Sequence, residues 1–248
     1  MRLSWRLLVT LAVVAPLFLG CGKRGPLRPL GAPLPLAPTQ VQVLQHGATL
    51  ELSWSAPGMN EDGSPAQVTG FRIYRLPFLP GRECPECRDD KWLWRELSVT
   101  DGRDAFRLYD DQVVAGQGYR YRIEPLTVDG FPGSSAQVIR VVVAAPPLPS
   151  SLVATAGHAL VTLSWDAPAA IPGGELLGYQ LQRAAGEAPF APQPLNRTPL
   201  IETTYEDVGL TNGVTYRYRV GALWRWGDVV VESDWTKGVS VTPQSAFR

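Results

Sequence analysis

The chain reads as an all-β protein of two tandem β-sandwiches, and three observations predict that class. Proline and glycine are abundant, at 23 and 24 residues, methionine is nearly absent, and eight tryptophans are available to fill cores. Such a composition suits many short strands joined by turns. A block of sequence recurs, with Leu52-Ser53-Trp54-Ser55-Ala56-Pro57 returning as Leu163-Ser164-Trp165-Asp166-Ala167-Pro168. Within each copy apolar and polar residues alternate with period two, the signature of a half-buried strand.

The N-terminal segment stands apart. Arg2 and Arg6 precede an apolar run from Leu7 to Leu19 that ends at Gly20-Cys21. A basic start, an apolar stretch too short for a comfortable span and a small residue at its end describe an export signal over 1–20. Phe18-Leu19-Gly20-Cys21 resembles the lipobox of bacterial lipoproteins. The resemblance implies acylation of Cys21 and anchoring in membrane lipid; a single acyl chain holds marginally, whereas several hold stably. Gly22 stands where many inner-membrane lipoproteins carry aspartate, so the expected placement is the outer membrane. Over 21–37 the prolines Pro26, Pro29, Pro33 and Pro35 predict an extended tether, at roughly 3 Å per residue reaching on the order of 50 Å.

Two domains are expected, over 38–145 and 146–244, each near the common domain size of about 100 residues. In the strand ending at Trp54, Leu50 and Leu52 share its face, and Val161 and Leu163 do the same for Trp165. Later in each copy Tyr119-Arg120-Tyr121-Arg122-Ile123 answers Tyr216-Arg217-Tyr218-Arg219-Val220. The tyrosines are expected inward and the arginines in water. Tyr109-Asp110-Asp111 is aligned with Tyr205-Glu206-Asp207. One-sided antiparallel sheets must bury their apolar faces against second sheets, which makes a sandwich. A long insertion falls between Leu76 and Trp92, in the first copy alone.

These residues resemble the fibronectin type III domains, over roughly 36–144 and 146–243. The resemblance rests on Trp54 and Trp165, the proline that follows each, and Tyr119 and Tyr216 after their turns. It implies an Ig-like sandwich in which Trp54, Trp165, Tyr119 and Tyr216 belong to the cores and each of the two tyrosine hydroxyls bonds upstream backbone as a corner.

Candidate chemistry is sparse. Cys84-Pro85-Glu86-Cys87 reads as a local disulfide in an exported protein, because structural zinc needs four ligands and the chain offers only His46 and His158 besides. Trp224 and Trp226, with Arg217 and Arg219, are the candidate binding surface, as a stacked ladder or a glycan platform; end-of-core packing is the preferred reading. Asn60-Glu61-Asp62-Gly63 reads as a turn, and Asn196-Arg197-Thr198 as an idle glycosylation match. No nucleophile, base and orienting group come together, so no enzyme, cofactor or metal is expected. Zero net charge argues against a nucleic-acid partner.

The expected function is that of a non-catalytic, membrane-anchored interaction or spacer module of the bacterial envelope, with an envelope protein as partner. Cys21-Gly22-Lys23-Arg24-Gly25-Pro26-Leu27 resembles the start of small outer-membrane lipoproteins, including one that assists the lipopolysaccharide-export translocon. That resemblance implies, as a second reading, an assembly role for an outer-membrane complex; glycan binding through Trp224 and Trp226 is a third.

Overall fold

Alternating burial along each strand explains how the sheets pair. In the computed structural model, which describes residues 31–84, 92–100 and 102–245, the first sandwich faces a three-stranded layer against a four-stranded one. The first layer holds β1 (Thr39–His46), β2 (Thr49–Ser55) and β5 (Ala105–Asp110); the second orders β4 (Leu93–Ser98), β3 (Gly70–Phe78), β6 (Gly118–Leu126) and β7 (Ala136–Val141). This is the Ig-like arrangement the resemblance implies. Leu50, Leu52 and Trp54 point inward from β2 and meet Phe71, Ile73, Tyr121 and Ile123 from the facing layer. Trp54 is 2% exposed, stacks on Phe106 at 5.6 Å and meets Phe71 edge-on at 5.5 Å.

The second copy repeats the scheme. β8 (Ser150–Ala156), β9 (Leu160–Asp166) and β11 (Thr204–Val208) face β10 (Glu175–Ala185) and β12 (Tyr216–Trp226), and Val161, Leu163 and Trp165 fill the core with Leu181, Tyr218 and Val220. Its last strand comes in two pieces, β13 (Val229–Glu232) and β14 (Val239–Val241), both paired with β12. β13 also meets β1 in parallel, through His46 and Glu232. One layer of each sandwich thereby joins into a single seven-stranded sheet.

Each sandwich carries the same polar triad around a buried aspartate. Arg75 donates to both carboxylate oxygens of Asp110 at 2.8 and 2.9 Å, and the Tyr121 hydroxyl donates to Asp110 at 2.6 Å. Arg183, Asp207 and Tyr218 repeat this with the same distances. Burial, then the hydrogen bond to the carboxylate, pushes both phenols far above their ordinary range. Asp110 therefore corresponds to Asp207, one position off the alignment expected from sequence. Pairing with the inward residues Leu50 and Val161 sets the register, and a slip of one residue would turn each aspartate outward.

Two further expectations change, and the place of Trp224 is fixed. The end of the expected tether is docked: Leu34 and Pro35 are buried, Glu61 donates its amide to Leu34, Leu36 to Met59 and Ser134 to Pro35. Residues 34–37 thus belong to the first sandwich, because their backbone groups find partners there. Arg120, expected in water, is 3% exposed, and its guanidinium donates to the Cys84 carbonyl at 2.5 Å, so the insertion covers it. Trp224, a binding-surface candidate for which end-of-core packing is the preferred reading, is 2% exposed, and its indole N–H donates to Pro147 at 3.0 Å. It lies on the face of β12 shared by Tyr216, Tyr218 and Val220, an even step along the strand from each.

Candidate functional site

The expected site residues separate onto different faces. Trp226 stacks on Trp224 at 6.1 Å on the core side of β12, whereas Arg217 and Arg219 project from the opposite side, so the four share no surface. The arginines build a ladder with other rings. Arg217 lies 5.2 Å from the Phe190 ring, and Arg219 lies 4.3 Å from Phe190 and 5.0 Å from Trp235. Arg219 also donates to Gln182 at 2.7 Å, and Arg217 donates to Gly186 at 2.8 Å. Trp235 rests over Gly221, where a Cβ would stand 3.3 Å from the ring.

The core residues hold their expected places. Trp165 is 4% exposed, Tyr119 and Tyr216 are buried, and each of these hydroxyls accepts from a backbone N–H five residues upstream, Val114 at 3.0 Å and Thr211 at 3.1 Å. Cys84 is disulfide-bonded. Cys21 and Cys87, the leader over 1–20 and the Cys21–Leu27 segment lie outside the described residues. Asn60 and Asp62 are occupied by the turn, Asn60 bonding Ser64 and Pro65 and Asp62 accepting from Ser64. Asn196 is buried; its amide accepts from Leu181 and donates to Tyr179 and Thr198, capping the edge of β10 that no strand covers. An amide held this way is closed to modification. Among the described residues no group of three or more His, Cys, Asp and Glu side chains could hold a metal ion.

The most organised polar cluster, absent from the sequence-based candidates, lies at the joint. His46 ends β1, and its Nδ1 stands 2.6 Å from Glu232 on β13 while its Nε2 stands 3.6 Å from Glu51 on β2. Glu51 is held in turn by Arg107 at 2.8 Å. The Gly47 amide donates to the Glu232 carbonyl at 2.7 Å, and Arg140 donates to the Val230 carbonyl at 3.0 Å. Gly47 has φ +56°, and a Cβ there would fall 2.0 Å from an Asp234 carboxylate oxygen, so the chain passes only as glycine. Burial works to lower the His46 pKa, but the hydrogen bond to Glu232 and the charges of Glu232 and Glu51 outweigh it and raise the value above 6.5. His158, at the matching turn of the second copy, stands 3.1 Å from the Asn212 amide nitrogen. The two histidines therefore share a position and not a role.

This joint lines a cleft of about 540 Å³ whose floor is the outer face of the seven-stranded sheet. Such a volume lies within the span of about 300 to 1,000 Å³ common for small-molecule sites.

No family model matches the chain. Over 79 residues the chain is 33% identical to an amylopullulanase of Thermoanaerobacterium thermosulfurigenes; the match covers 32% of this chain and 4% of that protein. Among solved structures, the chain is similar to the FN1–FN3 domains of chicken CNTN1 with a TM-score of 0.40 and 16% identity, covering 87% of this chain and 69% of that one.

Proposed function

We propose that the chain is a non-catalytic, lipid-anchored interaction module of the bacterial cell envelope, holding two sandwiches in a fixed relation at the end of a tether. The observation that supports this most is the parallel pairing of β1 with β13, which makes one sheet of two layers and fixes the angle between cores. A module that only filled space would need no such joint, whereas one that offers a surface across both sandwiches does. Acylation of Cys21, placement in the outer membrane and an envelope-protein partner complete the proposal, on the strength of the basic start, the apolar run and the lipobox-like ending.

Metabolic labelling with a palmitate analogue tests the anchor: label on the wild type and its loss, with release from membranes, in Cys21→Ala is the expected result. Unlabelled wild-type protein would refute the anchor. Photo-crosslinking tests the partner. Capture through the outer faces of the sandwiches supports the module, and capture of a β-barrel solely from a crosslinker at Pro26 would support the assembly role implied by the Cys21–Leu27 resemblance.

A further inference from the structure

We infer that the cleft at the joint binds an uncharged oligosaccharide chain. The inference goes beyond the anchored-module reading and stands without it, since it rests on the outer face of the joined sheet alone.

Six strands, β10, β12, β13, β1, β2 and β5, lie side by side across this face. At about 4.8 Å between neighbours the row is about 24 Å wide, long enough for several sugar rings in a line. Each strand turns a planar or hydroxylated polar group outward: Gln180 and Gln182 from β10, Arg219 from β12, Glu232 from β13, His46 from β1, Thr49 from β2. Arg107 and Tyr109 complete the row on β5. The charges nearly cancel, with Arg107 and Arg219 against Glu51, Glu232 and Asp234, so neither a polyanion nor a polycation is favoured. What remains is a neutral ligand rich in hydrogen-bonding groups.

Two features select sugar over an uncharged peptide. The wall carries aromatic rings, Trp235 and Phe190 on one side and the exposed Tyr109 on the other, and the electron-rich face of an aromatic ring suits the C–H face of a pyranose. The Gln180 amide, the Thr49 hydroxyl and the Asp234 carboxylate make no hydrogen bond to other described residues, which leaves donors and acceptors ready for vicinal hydroxyls. An extended peptide would instead seek a free strand edge, and the face in question presents side chains.

The test is calorimetric titration of the full-length protein, in a detergent without sugar headgroups, with maltohexaose, cellohexaose, chitohexaose and an uncharged peptide of similar length. At least one oligosaccharide is expected to bind with a Kd of about 1 mM or tighter, and Gln180→Ala and Asp234→Ala are each expected to weaken it about tenfold. Both side chains lie outside the cores, so the variants should melt like the wild type. Three results would overturn the inference: no oligosaccharide binding, binding indifferent to both substitutions, or binding of the peptide alone. None of these would disturb the anchor, whose test reads Cys21 labelling.

Discussion

The two sandwiches close their last strand in different ways. In the first, β7 runs unbroken beside β6 from Ala136 to Val141. In the second, β13 and β14 are separated by residues 233–238, and side chains replace part of the ladder: the Ser233 hydroxyl accepts from Ala222 and the Thr236 hydroxyl from Val220. The Ser233 and Thr236 amides still donate to Ala222 and Val220. A bulge of this kind bends and twists its strand, and the edge of β13 meets β1 there. The interiors are thus copies down to the Arg–Asp–Tyr triad, while the joint is made where the last strand of the second sandwich departs from its copy.

The equality of the cores is the part of the comparison most easily broken. Asp110→Ala and Asp207→Ala each strand a half-buried arginine and a buried tyrosine hydroxyl, and since breaking a fully buried pair from one side costs about 3 to 5 kcal/mol, a loss of about 2 to 3 kcal/mol is expected where solvent still reaches the arginine. Against a typical domain stability of about 5 to 15 kcal/mol, urea unfolding should show each variant lowering one transition and sparing the other. Similar losses are expected from the two; a loss in one variant alone would mean that the triads are alike in shape and unlike in weight.

The difference at the last strand predicts a smaller, one-sided effect. Thr236→Val leaves the buried Val220 amide without its acceptor, a cost of about 1 to 3 kcal/mol, which should appear in the second transition only. Replacing Gly47 with valine sharpens the same point at the joint. Left-handed φ and the Asp234 carboxylate both oppose a side chain there, so the Gly47→Val variant is expected to keep both melting transitions and lose the protection of the Gly47–Glu232 bond in amide exchange. If the protection survives, β1 and β13 are held by something other than the backbone pairing.

The smallest effect is that of pH on the joint. His46 has a folded-state pKa above its unfolded value of 6.5, so the folded state holds the extra proton between the two. The resulting stabilisation is complete below about pH 6.5 and is lost as pH rises through the folded value. Urea titrations across pH 6 to 9 should show that decline in the wild type and not in His46→Gln, about in the range where histidines titrate. Equal slopes in both proteins would remove His46 from the joint.

Much of the core was readable in the chain. The even spacing of Leu50, Leu52 and Trp54, and of Tyr216, Tyr218 and Val220, shows which side of each strand is covered. Carried four residues further, the same parity places Trp224 inside, a signal that separates it from the arginines near it in the chain. The joint left no such trace. His46 and Glu232 are distant in sequence, and an outward glutamate on a strand looks like any solvated residue until a second strand arrives beside it. The cleft residues Gln180, Thr49 and Tyr109 belong to different strands of different copies for the same reason. Asn196 was visible as a motif, but its role as an edge cap depends on β10 being the outermost strand of its sheet, with β12 on one side only, which is a fact of topology.

The central claim is that one shared sheet holds the two cores at a fixed angle. Pulsed electron resonance between spin labels at Val128 and Ile201, both 76% exposed and one in each sandwich, measures this directly. The expected result is one narrow distance distribution that broadens in Gly47→Val. A broad distribution already present in the wild type would contradict it.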